Sequence, residues 1–300
     1  MSLDINWELY KTFYKVAKYS SFKKAAKELY ITQPSITRAI STLESNLNTK
    51  LFYRSAKGTK LTPDGVELYN YVDKSYNLLL SGERNLKESK DLEHGKIAIG
   101  VQSHIGEFFL FPFVEKFHKE YPNIEISIVS RNTEEMLKFL ENNSIDFIID
   151  TSPINSIYNN LEIVPLFDLK NSFISKKCIS SEPISIKDLE KYNLILPVKR
   201  STPRKELDAI CLKYDVELNP FMTIETTEML VNAVKKDMGI GYVIKQAVGK
   251  ELKNKELFEV KIKEELPALQ LNLVYIEEYL THIPEKFMNL IKENYEEYMQ

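Results

Sequence analysis

Long hydrophobic runs are absent from this sequence of 300 residues, and cysteine is nearly absent. Lys, Glu, Asp or Asn interrupts every apolar stretch before it reaches the length of about 20 residues that spans a membrane. The first residues also lack the charged and then apolar pattern of a signal peptide. The two cysteines, Cys178 and Cys211, are too few for a disulfide framework and fit a reducing compartment. We therefore expect a cytoplasmic protein.

The sequence also lacks the residue patterns that mark most enzymes and metal sites. Its four histidines are scattered, without the paired spacing of metal ligands. It has no glycine-rich phosphate loop and no Gly-x-Ser-x-Gly nucleophile turn. We therefore predict a protein that is not an enzyme and needs no metal or cofactor. A redox-sensing pair of Cys178 and Cys211 stays an open alternative, although we expect neither thiol to be exposed.

Positive charge is concentrated in the first part of the chain. Residues 1–65 contain eleven Lys/Arg and five Asp/Glu, a balance of +6. The other residues have a balance of −9, since the whole chain has a net charge of −3. This asymmetry indicates that the first part alone meets a polyanion.

Residues 32–47, TQPSITRAISTLESNL, combine two patterns in one helix. Apolar residues at spacings of four and three form a buried stripe: Ile36, Ile40, Leu43 and Leu47. Off this stripe lie hydrogen-bonding side chains, with no acid among them: Gln33, Ser35, Thr37, Arg38 and Ser41. Because a solvated helix face is usually rich in Glu and Lys, we predict a recognition helix that enters a DNA groove. An ordinary amphipathic surface helix is the alternative.

Two shorter helices are predicted before the recognition helix. Asn6 can cap the first of them and Ser21 the second, whose two adjacent alanines allow another helix to cross closely. Thr32 can cap the third helix, which tolerates Pro34 in its first turn. Two helices joined by a short turn, with a polar outer face on the second, form a helix-turn-helix.

A basic hairpin and a long helix follow. Residues 51–54 and 59–61 predict two short strands joined by a basic turn, and such a wing grips the phosphate backbone. Thr62-Pro63-Asp64-Gly65 starts a helix that runs to about Lys90. Heptad spacing predicts a short coiled coil between two chains through two seams: Val72, Leu79 and Leu86, with Tyr69 and Tyr76. Packing against the chain's own body is the alternative.

The chemistry of these side chains assigns their predicted roles on DNA. Arg38 suits bidentate contact with guanine, and Gln33 suits adenine. Ser35, Thr37 and Ser41 suit bases or phosphates. Three basic residues of the hairpin would hold phosphates without reading sequence: Arg54, Lys57 and Lys60. For Arg54, pairing with an acid of its own domain is the alternative.

From Leu92 onwards strands and helices alternate, which predicts a parallel α/β sheet. The segments 161–166 and 171–175 are predicted as two separate strands. We predict two α/β lobes, with the last strand and helix returning to the first. The predicted domains are 1–62 with the helix-turn-helix, 63–91 with the long helix, and 92–300 with lobe one (92–162 plus 268–300) and lobe two (163–267).

Ligand sites in such sheets lie at the carboxyl ends of strands, here in the cleft between the lobes. Polar residues at these positions are the predicted ligand contacts: Ser103, His104, Asn132, Arg200, Ser201, Thr202 and Thr226. We predict a small anionic effector between Ser103 and the loop 200–202. Plain capping or solvation of the same side chains is an equal alternative.

The sequence resembles the LysR-type transcriptional regulators over essentially its full length. The matching segments are SFKKAAKEL (21–29), TQPSITRAISTLE (32–44), LFYRSAKGTKLTPDG (51–65), IDFII (145–149) and MGIGYV (238–243). The resemblance implies a winged helix-turn-helix, a dimerising linker helix, and a two-lobed, periplasmic-binding-protein-like α/β effector domain, assembled as dimers and tetramers. It also implies DNA-facing roles for Gln33, Pro34, Ser35, Thr37 and Arg38, with Arg54 and Lys57 in the wing. The helix cap Thr32 and the polar Ser41 complete the predicted set of DNA-binding residues.

The sequence departs from the family pattern at a few positions. Asn48 stands where the family usually has Gly, and Thr37 where it usually has Ser, and both keep the needed chemistry. Asn143-Ser144 and Lys245 replace a typical Gly and Pro in the last domain, so the effector's identity is harder to transfer.

The function predicted from the sequence is that of a ligand-responsive transcription factor. It would bind a double-stranded DNA operator, a small-molecule effector, RNA polymerase and further copies of itself, without a membrane. A two-lobed solute-binding protein and a porphobilinogen-deaminase-like transferase are the alternatives. The basic first part and the missing signal-peptide pattern argue against the first, and the absence of a clustered catalytic set argues against the second.

Overall fold

Three capped helices open the first of two compact units, Met1–Lys87 and Glu88–Gln300. The computed structural model describes residues 5–55, 58–88, 94–154 and 160–298. The predicted caps are confirmed, because side-chain oxygens of Asn6, Ser21 and Thr32 accept hydrogen bonds from backbone N–H groups of the first turns. The helices are α1 (Trp7–Tyr19), α2 (Phe22–Glu28) and α3 (Gln33–Leu47). The finer division into 1–62, 63–91 and 92–300 stays a prediction.

The apolar stripe of α3 faces a core shared by all three helices. Ile36, Ile40 and Leu43 are fully buried, together with Phe13 of α1 and Ala25 of α2. The small side chain of Ala25 lets α2 and α3 cross closely, as predicted. Asn48 ends α3 with a φ of 49°, in the left-handed conformation expected there.

A hairpin and a long helix complete this unit. Strand β1 (Phe52–Ser55) pairs antiparallel with β2 (Gly58–Leu61), and residues 56 and 57 between them lie outside the described part of the chain. Helix α4 (Pro63–Glu88) begins after Thr62, whose Oγ1 accepts a hydrogen bond from Gly65 N at 2.9 Å. The predicted strand pair and helix start are therefore confirmed.

The heptad prediction for α4 is wrong for its first half. Tyr69 and Tyr76 stack on Tyr14 of α1, with ring centroids 5.8 and 4.6 Å away. Val72 is buried in the same core, so this part packs against its own chain. Farther along, Leu79 is 54% and Leu86 68% exposed. Only that second half stays available for the predicted pairing of two chains.

The second unit is built on one sheet. The first lobe contains three parallel strands, β3 (Gly95–Val101), β4 (Ile124–Val129) and β5 (Phe147–Thr151). Between β3 and β4 the chain forms a short helix α5 (Ser103–Ile105), a π-helical turn (Gly106–Leu110) and α6 (Phe111–Glu120), and α7 (Thr133–Glu141) precedes β5.

The next strand differs from the sequence prediction. The two predicted strands, 161–166 and 171–175, are parts of one long strand, β6, which begins one residue later than predicted (Glu162–Ser175). Polar residues interrupt the apolar pattern at Asp168 and Lys170, but both are exposed side chains on a strand that continues. β6 therefore runs through both lobes.

The remaining elements form lobe two and return to lobe one. Lobe two contains β7 (Leu194–Pro197), α8 (Thr202–Lys213), β8 (Met222–Ile224), α9 (Thr227–Lys235), β9 (Ile240–Ile244), α10 (Gly249–Lys253) and β10 (Phe258–Val260). The predicted return is confirmed by β11 (Ala268–Tyr275) and α11 (His282–Asn294), whose buried residues join the core of lobe one. Short 3-10 turns at Ile186–Lys191 and Lys245–Val248 have no counterpart in the prediction.

The sheet is mixed, whereas the sequence predicted a parallel one. Its main path has the strand order β4-β3-β5-β11-β6-β9-β7-β8. β11 runs antiparallel to β5 and β6, and β9 runs antiparallel to β6. The parallel groups lie at the two ends of the sheet, one in each lobe, and the antiparallel strands connect them. None of the described helices has the length and apolar character needed to cross a membrane.

The core of lobe two contains a buried hydroxyl that yields a test of packing. Tyr242 is fully buried, and its hydroxyl has no hydrogen-bond partner in the part of the chain that the structure describes. Tyr242→Phe is therefore expected to leave the free energy of unfolding unchanged or to raise it by about 1 kcal/mol. Urea unfolding measures this change. Tyr14→Phe, which loses a 3.3 Å contact with Lys18 Nζ, is the control and should be destabilising. A loss above about 1 kcal/mol in Tyr242→Phe would contradict the assignment.

Candidate nucleic-acid interface and ligand cleft

The outer face of α3 carries the predicted DNA-facing side chains. Gln33, Pro34, Ser35, Arg38 and Ser41 are exposed, and Thr37 is partly exposed. Thr32 caps the helix, with its Oγ1 2.9 Å from Ser35 Oγ. The structure therefore places this set on one continuous polar face.

Arg38 is the only charged residue among residues 32–42, which include this face. It forms no ion pair with any residue that the structure describes, so its guanidinium keeps all its donors. It borders a groove of about 360 Å³ between α1 and α3, with these neighbours: Leu9, Pro34, Ser35, Ala39 and Thr42. A free, exposed guanidinium beside a groove is suited to bidentate recognition of a base edge or a phosphate.

The wing is described only in part. Arg54 lies in β1 opposite Thr59 of β2. Lys57 lies outside the described residues. Lys60 is exposed on β2. The hairpin itself is present where the phosphate contacts are predicted.

The parallel strands of lobe one end in a hydrogen-bonded network. Asp150, which is fully buried, accepts bonds from Gln102 Nε2 at 2.9 Å, Thr133 Oγ1 at 2.6 Å and Thr151 N at 2.8 Å. Its donors are all neutral, and burial raises the pKa of Asp150 to about 6 although these bonds act in the opposite direction. The network ties together the ends of β3, β4 and β5 beside Ser103 and Asn132.

The predicted ligand residues of lobe one have local partners as well. Ser103 Oγ is 3.1 Å from Ser130 Oγ. Asn132 caps α7, accepting from Glu135 N at 3.0 Å and donating to its Oε2 at 2.5 Å. Burial lowers the pKa of His104 to about 4, and Glu228 acts in the opposite direction, so the ring is neutral at pH 7. His104 therefore offers hydrogen bonds but no positive charge.

The predicted ligand residues of lobe two lie together just after the carboxyl ends of β7 and β8. Val198 N donates to Ile224 O at 3.1 Å and so joins the ends of β7 and β8. Arg200, just after β7, forms an ion pair with Glu225, just after β8. Ser201 Oγ donates to Val198 O at 2.9 Å. Two hydroxyls start helices, Thr202 in α8 and Thr226 as the cap of α9.

Comparison with known proteins decides between the function classes. Residues 7–66 match the family model described as bacterial regulatory helix-turn-helix protein, lysR family, and residues 90–296 match the LysR substrate binding domain. This chain belongs to the LysR family of transcriptional regulators. As a LysR-type regulator it is a DNA-binding protein and not an enzyme, so the solute-binding and transferase alternatives lose their support.

Relatives align with the LysR-type chain along nearly its whole length. The HTH-type transcriptional regulator CysL of Bacillus subtilis is 27% identical over 97% of this chain and 98% of its own. The HTH-type transcriptional regulator YofA of Bacillus velezensis is 26% identical over 94% of this chain and 96% of its own.

Solved structures share its fold. A full-length OxyR variant from Pseudomonas aeruginosa has a TM-score of 0.69 at 16% identity, covering 98% of this chain and 95% of its own. CbnR complexed with its target DNA has a TM-score of 0.56 at 16% identity, covering 97% and 100%.

Two buried carboxylates of this LysR-type regulator were missed by sequence reasoning. Asp150 ends the apolar run DFIID. An acid at the carboxyl end of a predicted parallel strand lies where ligand sites form, and this position could have identified Asp150 as a candidate. Glu44 is 4% exposed although it follows the polar part of the recognition helix. Its spacing of four from Ile40 places it on the inner stripe, which is the signal that was overlooked.

The cysteines differ from each other and from the sequence expectation. Cys178 is exposed, which corrects the expectation that neither thiol would be, and its Sγ lies 3.5 Å from Ser180 O. Cys211 is buried, and burial raises the pKa of its thiol to about 11. A buried thiol that resists ionisation is a poor redox partner. No cluster of three His, Cys, Asp or Glu suited to a metal ion occurs among the residues described.

Proposed function

We propose that α3 and the β1–β2 wing bind a specific operator, and that a small-molecule effector between the two lobes controls this binding. The exposed, acid-free face of α3 with its unpaired Arg38 is the observation that carries the proposal. CbnR, solved with its target DNA, has the same fold. A mobility-shift assay with DNA from upstream of the protein's own gene, and with genomic fragments, tests it. Absence of salt-sensitive binding to all of these DNAs would contradict the proposal.

The assembly and partners follow from the same function. We propose that the exposed leucines of the second half of α4, Leu79 and Leu86, pair two chains, and that dimers join as tetramers. Contact with RNA polymerase and action in the cytoplasm, where the operator would lie, belong to the same proposal.

The proposed effector is a small anion that bridges Ser103 of lobe one and Arg200 of lobe two. The side chains of Arg200 and Glu225 are 73% and 66% exposed, and an exposed ion pair is weak enough for an anion to displace Glu225. His104 and Thr226 would add hydrogen bonds. A small anion also fits the start of the helical stretch at Ser103, where N–H groups lack helical partners.

A thermal-shift screen of small carboxylates and phosphates on the full chain tests this effector class. At a concentration of about 100 times its dissociation constant, the matching anion should stabilise the second unit by about 2.7 kcal/mol. Arg200→Ala should abolish the shift, and Glu225→Gln should increase it, because Arg200 then has no competing carboxylate. Lys205→Ala, which removes an exposed cation of α8, is the control and should leave the shift unchanged. Stabilisation by no anion, or by the same anion equally in Arg200→Ala, would contradict this assignment.

A further inference from the structure

Glu44 is an acid buried inside a basic unit whose ligand is a polyanion. It lies on α3, one turn after Ile40, and only 4% of its surface is exposed. Its one ion pair in the described part of the chain is with Lys50, whose side chain is 80% exposed. A buried carboxylate is stable only if its oxygens receive hydrogen bonds. The role of Glu44 is therefore defined by the groups that donate to it.

Those donors belong to the segment that leads into the wing. Glu44 Oε1 accepts from Leu51 N at 3.0 Å and from Phe52 N at 3.4 Å. Its Oε2 accepts from Lys50 Nζ at 3.0 Å. Burial acts to raise the pKa of Glu44, but these bonds hold it below its usual value, so the side chain is a carboxylate at neutral pH. Phe52 is the first residue of β1, so Glu44 attaches the recognition helix directly to the start of the wing.

The same segment is bound from its other side by the start of α4. Thr62 N donates to Leu51 O at 3.0 Å, and Thr62 Oγ1 donates to Lys50 O at 2.6 Å. Gly65 lies so close that a Cβ there would be 2.2 Å from Leu51 O. Lys50 and Leu51 are therefore held between α3 and the start of α4. On the side of α3, the side chain of Glu44 makes the hydrogen bonds.

We infer that Glu44 is a positioning residue for DNA recognition, because it holds the wing and the start of α4 in a fixed geometry against α3. The inference rests on DNA binding through α3 and the wing. A helix in a groove and a wing on the backbone bind the same duplex only when their spacing matches it. Without Glu44 the wing shifts from its place, while α3 keeps its own polar face.

Three substitutions at position 44 separate the contacts. Glu44→Ala removes both acceptors. Glu44→Gln keeps an oxygen for Leu51 N and Phe52 N and loses only the ion pair with Lys50. Glu44→Asp keeps the charge but is one methylene shorter, so it withdraws the acceptor from Leu51 N, and it carries the test if Glu44→Ala fails to fold.

The DNA measurement uses a duplex that the wild-type chain selects from fragmented genomic DNA, and a random duplex of the same length. Glu44→Ala is expected to bind the selected duplex about 10-fold to 100-fold more weakly. Binding to the random duplex should weaken much less, because α3 reads no bases there and the positive charge that the unit gains offsets part of the lost phosphate contacts. The slope of affinity against salt concentration for the selected duplex should be smaller than in the wild-type chain, because fewer phosphates are contacted once the wing has shifted. Glu44→Gln should bind like the wild-type chain, and Glu44→Asp like Glu44→Ala.

Hydrogen exchange provides a readout that does not depend on DNA. The amides of Leu51 and Phe52 should exchange faster in Glu44→Ala and Glu44→Asp, while those of Ile36 and Ile40 keep their protection. Equal losses on selected and random DNA, or unchanged exchange at Leu51, would overturn the positioning role. If the wild-type chain selects no duplex, the proposed DNA function fails, whereas the exchange result still decides whether Glu44 holds the wing.

Discussion

Replacing Arg38 with alanine is expected to reduce the preference for the operator over random DNA by about 1–3 kcal/mol. The guanidinium is exposed on the second turn of α3 and has no ion pair among the described residues, so no intramolecular contact compensates for its loss. The stability of the first unit should change little, since the core side of α3 consists of Ile36, Ile40 and Leu43. Binding titrations on the operator and on random duplexes measure the effect. Arg38→Lys should recover little of it, because an ammonium lacks the planar fork.

Lys57→Ala is the matched control for Arg38→Ala. It removes the same charge from the predicted wing turn, which lies outside the described residues. We expect it to weaken binding to all sequences alike and to reduce the slope of affinity against salt by about 1. Equal losses on operator and random DNA for Arg38→Ala would refute its role in reading bases.

The three helices of the first unit were predictable from sequence, because the caps and the apolar stripe that define them depend on residues close together in the chain. Asn6, Ser21 and Thr32 cap their helices through bonds that span two or three residues, and the stripe of α3 follows from one helical period. The contacts that the sequence did not reveal are longer in range. Glu44 reaches Leu51, and Tyr14 stacks on Tyr69 and Tyr76, between elements whose packing no single period encodes.

The second unit was less predictable for the same physical reason. Strand periodicity located β3, β4 and β5, but it could not show that β6 continues through Asp168 and Lys170 into both lobes. Pairing direction is also a tertiary property, so the antiparallel β11 converts a predicted parallel sheet into a mixed one. At the cleft, sequence placed Ser103 and Arg200 at strand ends, yet their partners Ser130 and Glu225 are known only from the fold.

Asp150→Asn is expected to stabilise the second unit at neutral pH, by up to about 3 kcal/mol. Burial raises the pKa of Asp150 from 3.8 to about 6, and a difference of about 2 in pKa corresponds to about 3 kcal/mol. Asparagine keeps an oxygen for Gln102 Nε2 and Thr151 N. Its amide can donate to Thr133 Oγ1, because a hydroxyl also accepts. The variant therefore keeps the network and removes the cost of a buried charge.

The pH dependence identifies the cause of this stabilisation. Because the folded state holds the Asp150 proton more tightly than the unfolded chain, this group's contribution is fully present below about pH 4. It is lost as the pH rises through about 6. The difference between Asp150→Asn and the wild-type chain should therefore be near zero at pH 4 and should grow up to about pH 7. Comparing the two proteins at each pH removes the contributions of all other titrating groups.

Calorimetry of the full chain measures this difference, and the fluorescence of Trp7, the only tryptophan, identifies the transition of the first unit. Asp168→Asn, an exposed position on β6, should change stability by less than about 0.5 kcal/mol at every pH. A stabilisation by Asp150→Asn that is the same at pH 4 and pH 7 would mean that packing, and not the buried charge, is its source. A destabilisation at pH 7 would mean that the carboxylate of Asp150 holds the ends of β3, β4 and β5 together in a way that an amide cannot replace.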